Sequence, residues 1–199
     1  MSVSPDDTES GARRAILDAT RRLLETPGAV PVSLEGIAAE AGYSRQAIYR
    51  HFGSRAGLLR ATLADIDVQA GAEDAVAEVL TADDPAVAID ALIAWWADHV
   101  AGFAGVARAV YAGRRADPEL AAAWDDRMDA LLDVCRQVIA RCAEAGVLRP
   151  ELSRPAAAEM LWGLLSIPLW DQLVVDRGWS RATYKRRIGW IARASLTVG

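Results

Sequence analysis

Residues 32–59 read VSLEGIAAEAGYSRQAIYRHFGSRAGLL, and this stretch decides the fold. Three serines each stand just before a segment with helical spacing, where a hydroxyl accepts a hydrogen bond from an exposed backbone N–H. These serines are Ser33, Ser44 and Ser54. Gly42 and Gly53 follow the ends of the first two segments, and glycine favours the backbone turn that closes a helix. The pattern predicts two short helices joined by a tight turn, with a longer helix after them.

The second of these helices, residues 45–52, has one polar side and one small apolar side. With Arg45 at zero, Tyr49 falls at about 40° and Gln46 at about 100°, while Ala47 and Ile48 fall at about 200° and 300°. A helix of two turns needs tertiary support, so the apolar side is expected to dock and the polar side to face outward. Arginine can read guanine, glutamine can read adenine and a tyrosine hydroxyl can reach a phosphate. The outward side is therefore suited to the major groove of DNA.

Charge is distributed unevenly along the chain. The 199 residues carry a net charge of −5, yet residues 11–60 hold eight arginines and four acids. A basic module on an acidic body is typical of a protein that binds nucleic acid locally. Four arginines of the first helix, Arg13, Arg14, Arg21 and Arg22, either approach the DNA backbone or simply form a solvated surface.

Apolar residues recur at three and four throughout, which predicts an all-α chain of about nine helices. We expect a disordered tail over residues 1–10, a three-helix DNA-binding domain over 11–60 and a larger helical domain over 61–199. The first helix is expected at Ala12 to Glu25, and the fourth as one helix from Ser54 to about Val79. Further helices are expected to start at Pro85, Pro118, Ser153 and Ser180, with a kink at Pro168.

The stretch 32–59 resembles the helix-turn-helix signature of TetR-type (tetracycline-repressor-like) regulators. The resemblance implies DNA contacts in the major groove or at its flanking phosphates. The residues implied are Ser33, Ser44, Arg45, Gln46, Tyr49, Arg50, His51 and Arg55. His51 is ambiguous, because the helical wheel places it inward and the resemblance places it near phosphate. Arg55 stands where the family commonly has lysine, and Gly57 is expected to weaken its helix by up to about 1 kcal/mol relative to alanine.

The larger domain is rich in aromatic residues, with six of the seven tryptophans between Trp95 and Trp179. Large aromatic rings that leave gaps can line a cavity for an apolar or aromatic small molecule. The predicted ligand-binding residues are Trp95, Trp96, His99, Phe103, Trp124, Met128 and Trp162. Ordinary core packing is the alternative for each of them. Cys135 and Cys142 lie seven residues apart on one predicted helix, too far for a disulfide, and are expected to be buried thiols.

Together these features predict a ligand-responsive repressor that binds a palindromic operator in double-stranded DNA as a homodimer. The last two helices, with Met160, Leu161, Leu164, Leu165, Tyr184, Ile188 and Ile191, resemble the family's dimer bundle, although these residues also suit packing within one chain. The alternative is a regulator without a small-molecule effector, controlled by a protein partner or by abundance. No catalytic motif, metal site, cofactor site, secretory leader or membrane span is visible, so we expect a cytoplasmic protein that is not an enzyme.

Overall fold

The computed structural model describes residues 5–26 and 33–198, and within them the chain is helical. Its helices are α1 (Pro5–Glu25), α2 (Leu34–Ala41), α3 (Arg45–Phe52), α4 (Arg55–Gln69), α5 (Ala72–Thr81), α6 (Pro85–Val100), α7 (Ala104–Gly113), α8 (Pro118–Glu144), α9 (Arg154–Leu164), α10 (Ile167–Trp170) and α11 (Arg181–Leu196). A π-helical segment, Asp171–Asp176, follows α10 directly. In the described residues, the β-type pairing is a single bridge between Leu148 and Thr197. The all-α prediction is confirmed, with two helices more than expected.

The first helix begins at Pro5, which corrects the prediction of a tail without structure for residues 5–10. Proline is favourable at the first position of a helix, because its missing N–H would have no partner there. Residues 1–4 of the predicted tail lie outside the described residues.

The predicted fourth helix is two helices. α4 ends at Gln69, and α5 begins at Ala72 after Gly71, whose φ of 59° lies in the left-handed region. Glycine adopts that conformation without the steric cost of a Cβ atom. The prediction of one continuous helix from Ser54 to Val79 is therefore wrong.

The two Asp-Pro pairs mark helix starts correctly, but the helix after the first is shorter than expected. α6 begins at Pro85 and ends at Val100, and α7 follows as a helix that the sequence pattern did not predict. At the second pair, the Asp117 carboxylate accepts from the backbone N–H of Glu119 at 2.9 Å. α8 then runs unbroken for 27 residues.

A kink within one helix is expected at Pro168, but the structure has two separate helices, α9 and α10, in this region. α9 stops at Leu164, and Ser166 caps the short helix α10 by accepting from the backbone N–H of Leu169 at 3.4 Å. Pro168 then occupies the first turn of α10, where its missing N–H leaves no helical bond broken. A new helix therefore begins at this position in place of the expected kink.

The chain packs as two compact units. The first consists of Met1–Gln69 and Gly102–Trp124, because α7 packs against α1 and α4. Its core is formed by Ile16, Leu17, Leu34, Ile37, Ala38, Ile48 and Leu58. The second unit consists of Ala70–Ala101 and Asp125–Gly199. The division into a DNA-binding domain over 11–60 and a larger helical domain over 61–199 therefore stays a prediction.

In the second unit, α6 and α11 pack closely against each other. α6 buries one apolar stripe, which consists of Ile89, Leu92, Ile93, Trp96 and Val100. α11 contributes Tyr184, Ile188, Ala192 and Leu196 to the same core. Three ion pairs flank this contact, from Lys185 to Asp98 at 2.5 Å, from Arg181 to Asp98 at 3.7 Å and from Arg193 to Asp90. Cys135 and Cys142 are buried free thiols, as the sequence predicts.

No single helix among the described residues has both the length and the apolar character to cross a membrane. One bent pair of helical segments meets that test when its two parts are taken together, Val87–Val100 and Ala104–Gly113.

Candidate nucleic-acid interface

α2 and α3 are two short helices joined by a tight turn, and each is capped as the sequence predicts. Ser33 Oγ accepts from the backbone N–H of Gly36 at 3.1 Å, and Ser44 Oγ accepts from that of Ala47 at 3.2 Å. Gly42 lies between the helices with φ 74°, and its N–H donates to the end of α2. The local sequence therefore fixes where α2 ends and where α3 starts.

The inner side of α3 holds the helix on the domain core. Ile48 is fully buried and contributes to the cluster that includes Ile16 and Leu58, while Ala47 is 7% exposed. Burial of an isoleucine side chain contributes about 1.5–3 kcal/mol. The docking of α3 through Ala47 and Ile48 is confirmed.

The outer side of α3 carries the predicted polar residues. Arg45, Gln46, Tyr49 and Arg50 are all exposed, and Tyr49 is 41% exposed in spite of its large ring. α3 itself carries no acidic residue. The exposed side of α3 therefore presents a row of hydrogen-bond donors and one aromatic ring, while the buried side holds the helix on the core.

Arg45 is held in place by two neighbours. Its Nη1 donates to Glu35 Oε1 of α2 at 2.5 Å, and its Nη2 donates to Tyr49 Oη at 3.0 Å. The guanidinium carbon also lies 5.4 Å from the centre of the Tyr49 ring. The hydrogen bond with Tyr49 and the charge of Glu35 raise the pKa of Arg45. A hydrogen bond from its own backbone N–H and the charge of Arg45 lower the pKa of Glu35.

His51 lies at the boundary between the two sides of α3. The residue is half-buried, and its Nε2 atom is buried without a hydrogen-bond partner among the described residues. Its ring centre lies 6.1 Å from that of Phe52, and the guanidinium of Arg13 lies 5.6 Å from the centre of the Phe52 ring. The inward position predicted from the helical wheel is the one that the structure shows.

The start of α4 closes against the end of α3. Ser54 Oγ accepts from the backbone N–H of Gly57 at 2.8 Å, and Arg55 is exposed beside it. A Cβ atom on Gly57 would lie 2.1 Å from the carbonyl oxygen of Phe52. The expectation that Gly57 only weakens α4 is therefore incomplete, because this close approach requires a glycine.

Of the four arginines on α1, two are paired with acids. Arg14 binds Asp18 at 2.6 Å and Asp65 at 2.8 Å, and Arg22 binds Glu40 at 3.2 Å. These pairs favour the solvated-surface interpretation for Arg14 and Arg22.

Two carboxylates connect the DNA-binding helices to α7 and α8 within the first unit. Glu25, at the end of α1, accepts from the backbone N–H groups of Gly105 and Val106 in the first turn of α7, at 2.9 and 3.3 Å. Ser54 donates to Glu119 Oε2 in the first turn of α8 at 2.6 Å. Neither bond could be predicted from a local pattern, because both join residues far apart in the chain.

The predicted ligand-binding residues are divided between the two compact units, and their role stays a prediction. Phe103 and Trp124 belong to the first unit, and the other five belong to the second. In the first unit, Trp124 packs edge-on to Tyr111 at 4.9 Å, and the guanidinium of Arg114 lies 3.5 Å from the centre of the Tyr111 ring. Tyr111 and Arg114 were not predicted as neighbours of Trp124.

In the second unit the aromatic residues pack in pairs and in one cluster. Trp95 stacks on His99 with ring centres 5.2 Å apart, and Trp162 donates its ring N–H to the carbonyl oxygen of Met128 at 3.2 Å. A cluster joins Trp96, Trp170 and Tyr184, with ring centres 5.1–5.9 Å apart. Trp170 and Tyr184 were missed as partners of Trp96, because no local pattern reports contacts between distant helices. No group of His, Cys, Asp or Glu in the described residues is arranged to hold a metal ion.

An exposed polar helix on a helix-turn-helix core defines this chain as a DNA-binding protein of the helix-turn-helix class. Residues 16–62 match the family model described as bacterial regulatory proteins, tetR family. Residues 16–62 therefore carry a DNA-binding domain of that family. No curated protein matches it in sequence.

Solved structures with the same fold cover nearly the whole chain. A transcriptional regulator from Saccharomonospora viridis, in complex with choline, is 23% identical with a TM-score of 0.79, covering 96% of this chain and 100% of its own. NalD from Pseudomonas aeruginosa, the secondary repressor of the MexAB-OprM multidrug efflux pump, is 24% identical with a TM-score of 0.72, covering 96% and 98%. FadR from Bacillus subtilis, in complex with stearoyl-CoA, is 16% identical with a TM-score of 0.72, covering 91% and 97%.

Proposed function

We propose that this protein is a ligand-responsive repressor that binds a palindromic operator as a homodimer. The observation that carries the proposal is the exposed row of Arg45, Gln46, Tyr49 and Arg50 on a helix docked through Ala47 and Ile48. Such a helix enters the major groove with its side chains toward the base edges, while serines and arginines at its flanks bind phosphates. Ser33, Ser44 and Arg55 are exposed at these flanks.

A binding titration with single variants tests the DNA contacts. Duplexes selected by the wild-type protein from a random library serve as the operator probe. Arg45→Ala and Tyr49→Phe are expected to weaken operator binding by about 1–3 kcal/mol per site with the fold intact. Arg136→Ala is the matched control, because Arg136 is also an exposed helical arginine paired with an acid, Asp133, at 2.7 Å. Unchanged binding by both interface variants would refute the assignment.

Dimer formation is supported by apolar side chains that α9 and α11 leave exposed. Trp190 is 65% exposed, and Ile191 and Met160 are 40% and 41% exposed. Contiguous apolar surface commonly marks protein–protein contacts, and we propose that these side chains contribute to such a surface. Of the predicted dimer residues, Leu161, Leu165, Tyr184 and Ile188 are instead buried within the chain. The dimer surface therefore rests on Trp190, Ile191 and Met160, and a two-fold dimer explains how one short helix per copy reads a palindrome.

A small-molecule effector is supported by two solved relatives, which hold choline and stearoyl-CoA. Within the first unit, Glu25 and Glu119 tie the DNA-binding helices to the first turns of α7 and α8. A ligand that shifts α7 or α8 therefore also shifts α1 or α4, and affinity for DNA changes by linkage. One continuous helix from Ser54 to Val79 would be another connection that could pass on such a shift, but the break at Gly71 excludes it.

A regulator without an effector remains the second candidate, and the packing of Trp96 favours it. The rings of Trp96, Trp170 and Tyr184 pack against one another. The hydroxyl of Tyr184 also donates a hydrogen bond to the carbonyl oxygen of Leu164 at 2.9 Å. A filled aromatic core has no room for a ligand. Control would then come from a protein partner or from abundance.

Tryptophan fluorescence and operator release separate the two candidates. Choline, stearoyl-CoA and a panel of apolar and aromatic compounds are titrated into the protein–operator complex. An effector is expected to change the fluorescence and release the operator over the same concentration range. If no compound releases DNA while operator binding itself holds, the effector proposal fails and the second candidate stands.

A further inference from the structure

The geometry points to Glu35 as a positioning residue that holds Arg45 for base recognition and so increases the preference for the operator over other DNA. This inference rests on the proposed function, because it concerns how α3 selects a sequence. Glu35 is not among the residues that the helix-turn-helix resemblance implies as DNA contacts.

The placement of the acids on α2 is the first observation. α2 carries Glu35 and Glu40, and α3 carries no acid. Glu40 binds Arg22 of α1 at 3.2 Å, away from α3. Glu35 binds Arg45, the first residue of α3, at 2.5 Å. One negative charge is therefore placed at the surface proposed to meet a polyanion.

The fixed state of the Arg45 side chain is the second observation. Glu35 holds Nη1 from one side, and Tyr49 accepts from Nη2 at 3.0 Å on the other. A long side chain that is already ordered loses less entropy when it binds guanine. The guanidinium has five N–H donors, so donors remain for guanine O6 and N7 while Glu35 and Tyr49 keep theirs.

The negative charge has an opposite effect on contacts with phosphate. A carboxylate beside Arg45 repels phosphate oxygens and cancels part of the positive charge that attracts any duplex. Non-specific binding depends almost entirely on such attraction. Glu35 therefore weakens binding to random DNA, while its hold on Arg45 favours the operator. Both effects increase the ratio of operator affinity to random-duplex affinity.

Glu35→Gln tests this, because glutamine keeps the size and one acceptor but removes the charge. Binding is measured to the duplex selected by the wild type and to a random duplex of equal length, over a range of salt concentrations. The affinity ratio is expected to fall by about 2- to 10-fold, the range for ordering one long side chain. The slope of log affinity against log salt for the random duplex is expected to steepen by up to about 0.9, the value for one added phosphate contact.

Two controls separate positioning from charge alone. Glu40→Gln makes the same charge change on the same helix, at an equally exposed ion pair, and is expected to leave the affinity ratio unchanged. Glu35→Gln in an Arg45→Ala background is expected to show the same ratio as Arg45→Ala alone, because Glu35 then has no guanidinium to hold. Both pairs are exposed, so the thermal midpoint of each variant checks that the fold is kept.

Three results would overturn the inference. Equal gains in affinity for both duplexes would mean that Glu35 only competes with DNA for Arg45. A lower ratio that persists without Arg45 would mean that Glu35 contacts a base itself. Equal effects of Glu35→Gln and Glu40→Gln would mean that net charge alone acts. If the wild type selects no sequence at all, the proposed function fails first and this inference falls with it.

Discussion

Gly105, in the first turn of α7, is the position where one methyl group is expected to cost the most. A Cβ atom there would lie 2.1 Å from the carbonyl oxygen of Leu24, 2.6 Å from its carbonyl carbon and 3.0 Å from the backbone nitrogen of Glu25. All three atoms belong to the backbone of α1, so no side-chain rotation relieves the contact. Gly105→Ala therefore forces α1 and α7 apart.

The size of the effect follows from two contributions. Inserting a methyl group into a packed site that cannot rearrange costs about 1–3 kcal/mol. Separation of the helices also breaks the bonds from Gly105 and Val106 to the Glu25 carboxylate, and a hydrogen bond to a charged group contributes about 1.5–3 kcal/mol. Because water replaces part of the lost bonding, we expect a net loss of about 2–4 kcal/mol in the free energy of unfolding.

Urea unfolding followed by circular dichroism measures this loss, and the chain offers a matched control. An ideal Cβ atom on Gly163 in α9 meets no atom within 4 Å, so Gly163→Ala is expected to stabilise the protein by up to about 1 kcal/mol. With a slope of about 2 kcal/mol per molar urea, Gly105→Ala lowers the midpoint by about 1–2 M. A midpoint for Gly105→Ala at or above the wild-type value would refute the close approach of α1 and α7.

Two further predictions concern the second unit. Trp190→Glu is expected to convert the proposed dimer to a monomer in sedimentation experiments and to abolish operator binding. Val68→Glu, at an 81% exposed position on α4, is expected to leave the proposed dimer intact, and a Trp190→Glu variant that is dimeric would contradict the proposed surface. Burial raises the pKa of the Cys135 thiol from its ordinary 9.0 to about 12, so the native thiol stays neutral when the unfolded one ionises. The free energy of unfolding is therefore unaffected by this group below pH 9 and falls as the pH rises from 9 towards 12, and a disulfide reagent at pH 8 is expected to modify Cys135 only after unfolding.

Helix starts could be predicted from the sequence more reliably than helix ends. Ser33, Ser44 and Ser153 each cap a helix at the predicted place, because a cap depends only on residues within one turn. The ends at Gln69, Val100 and Leu164 were missed. At these positions the apolar spacing continues past the break, so periodicity alone does not report where the chain turns.

The inward and outward sides of α3 were predicted well because their pattern is local. Arg45, Gln46 and Tyr49 face outward for the same reason that Ala47 and Ile48 face inward: all five lie within two turns of one helix. The pairing of Arg45 with Glu35 was not predicted, since it depends on the angle at which α2 and α3 meet. The contacts of Trp96 with Trp170 and Tyr184 were missed, because contacts among aromatic residues on different helices have no local signal.

The amino-acid order by itself determined that the chain is helical, where its capped helices start, which side of α3 is polar and where positive charge gathers. These properties arise between residues a few positions apart. Tertiary packing decided that α7 joins the DNA-binding helices, that Glu25 caps α7 and that Glu119 accepts from the hydroxyl of Ser54. It also decided that Trp96 packs on Trp170 and Tyr184. These contacts depend on how whole helices approach one another. That approach is set by the summed fit of many side chains, which no short stretch of sequence contains.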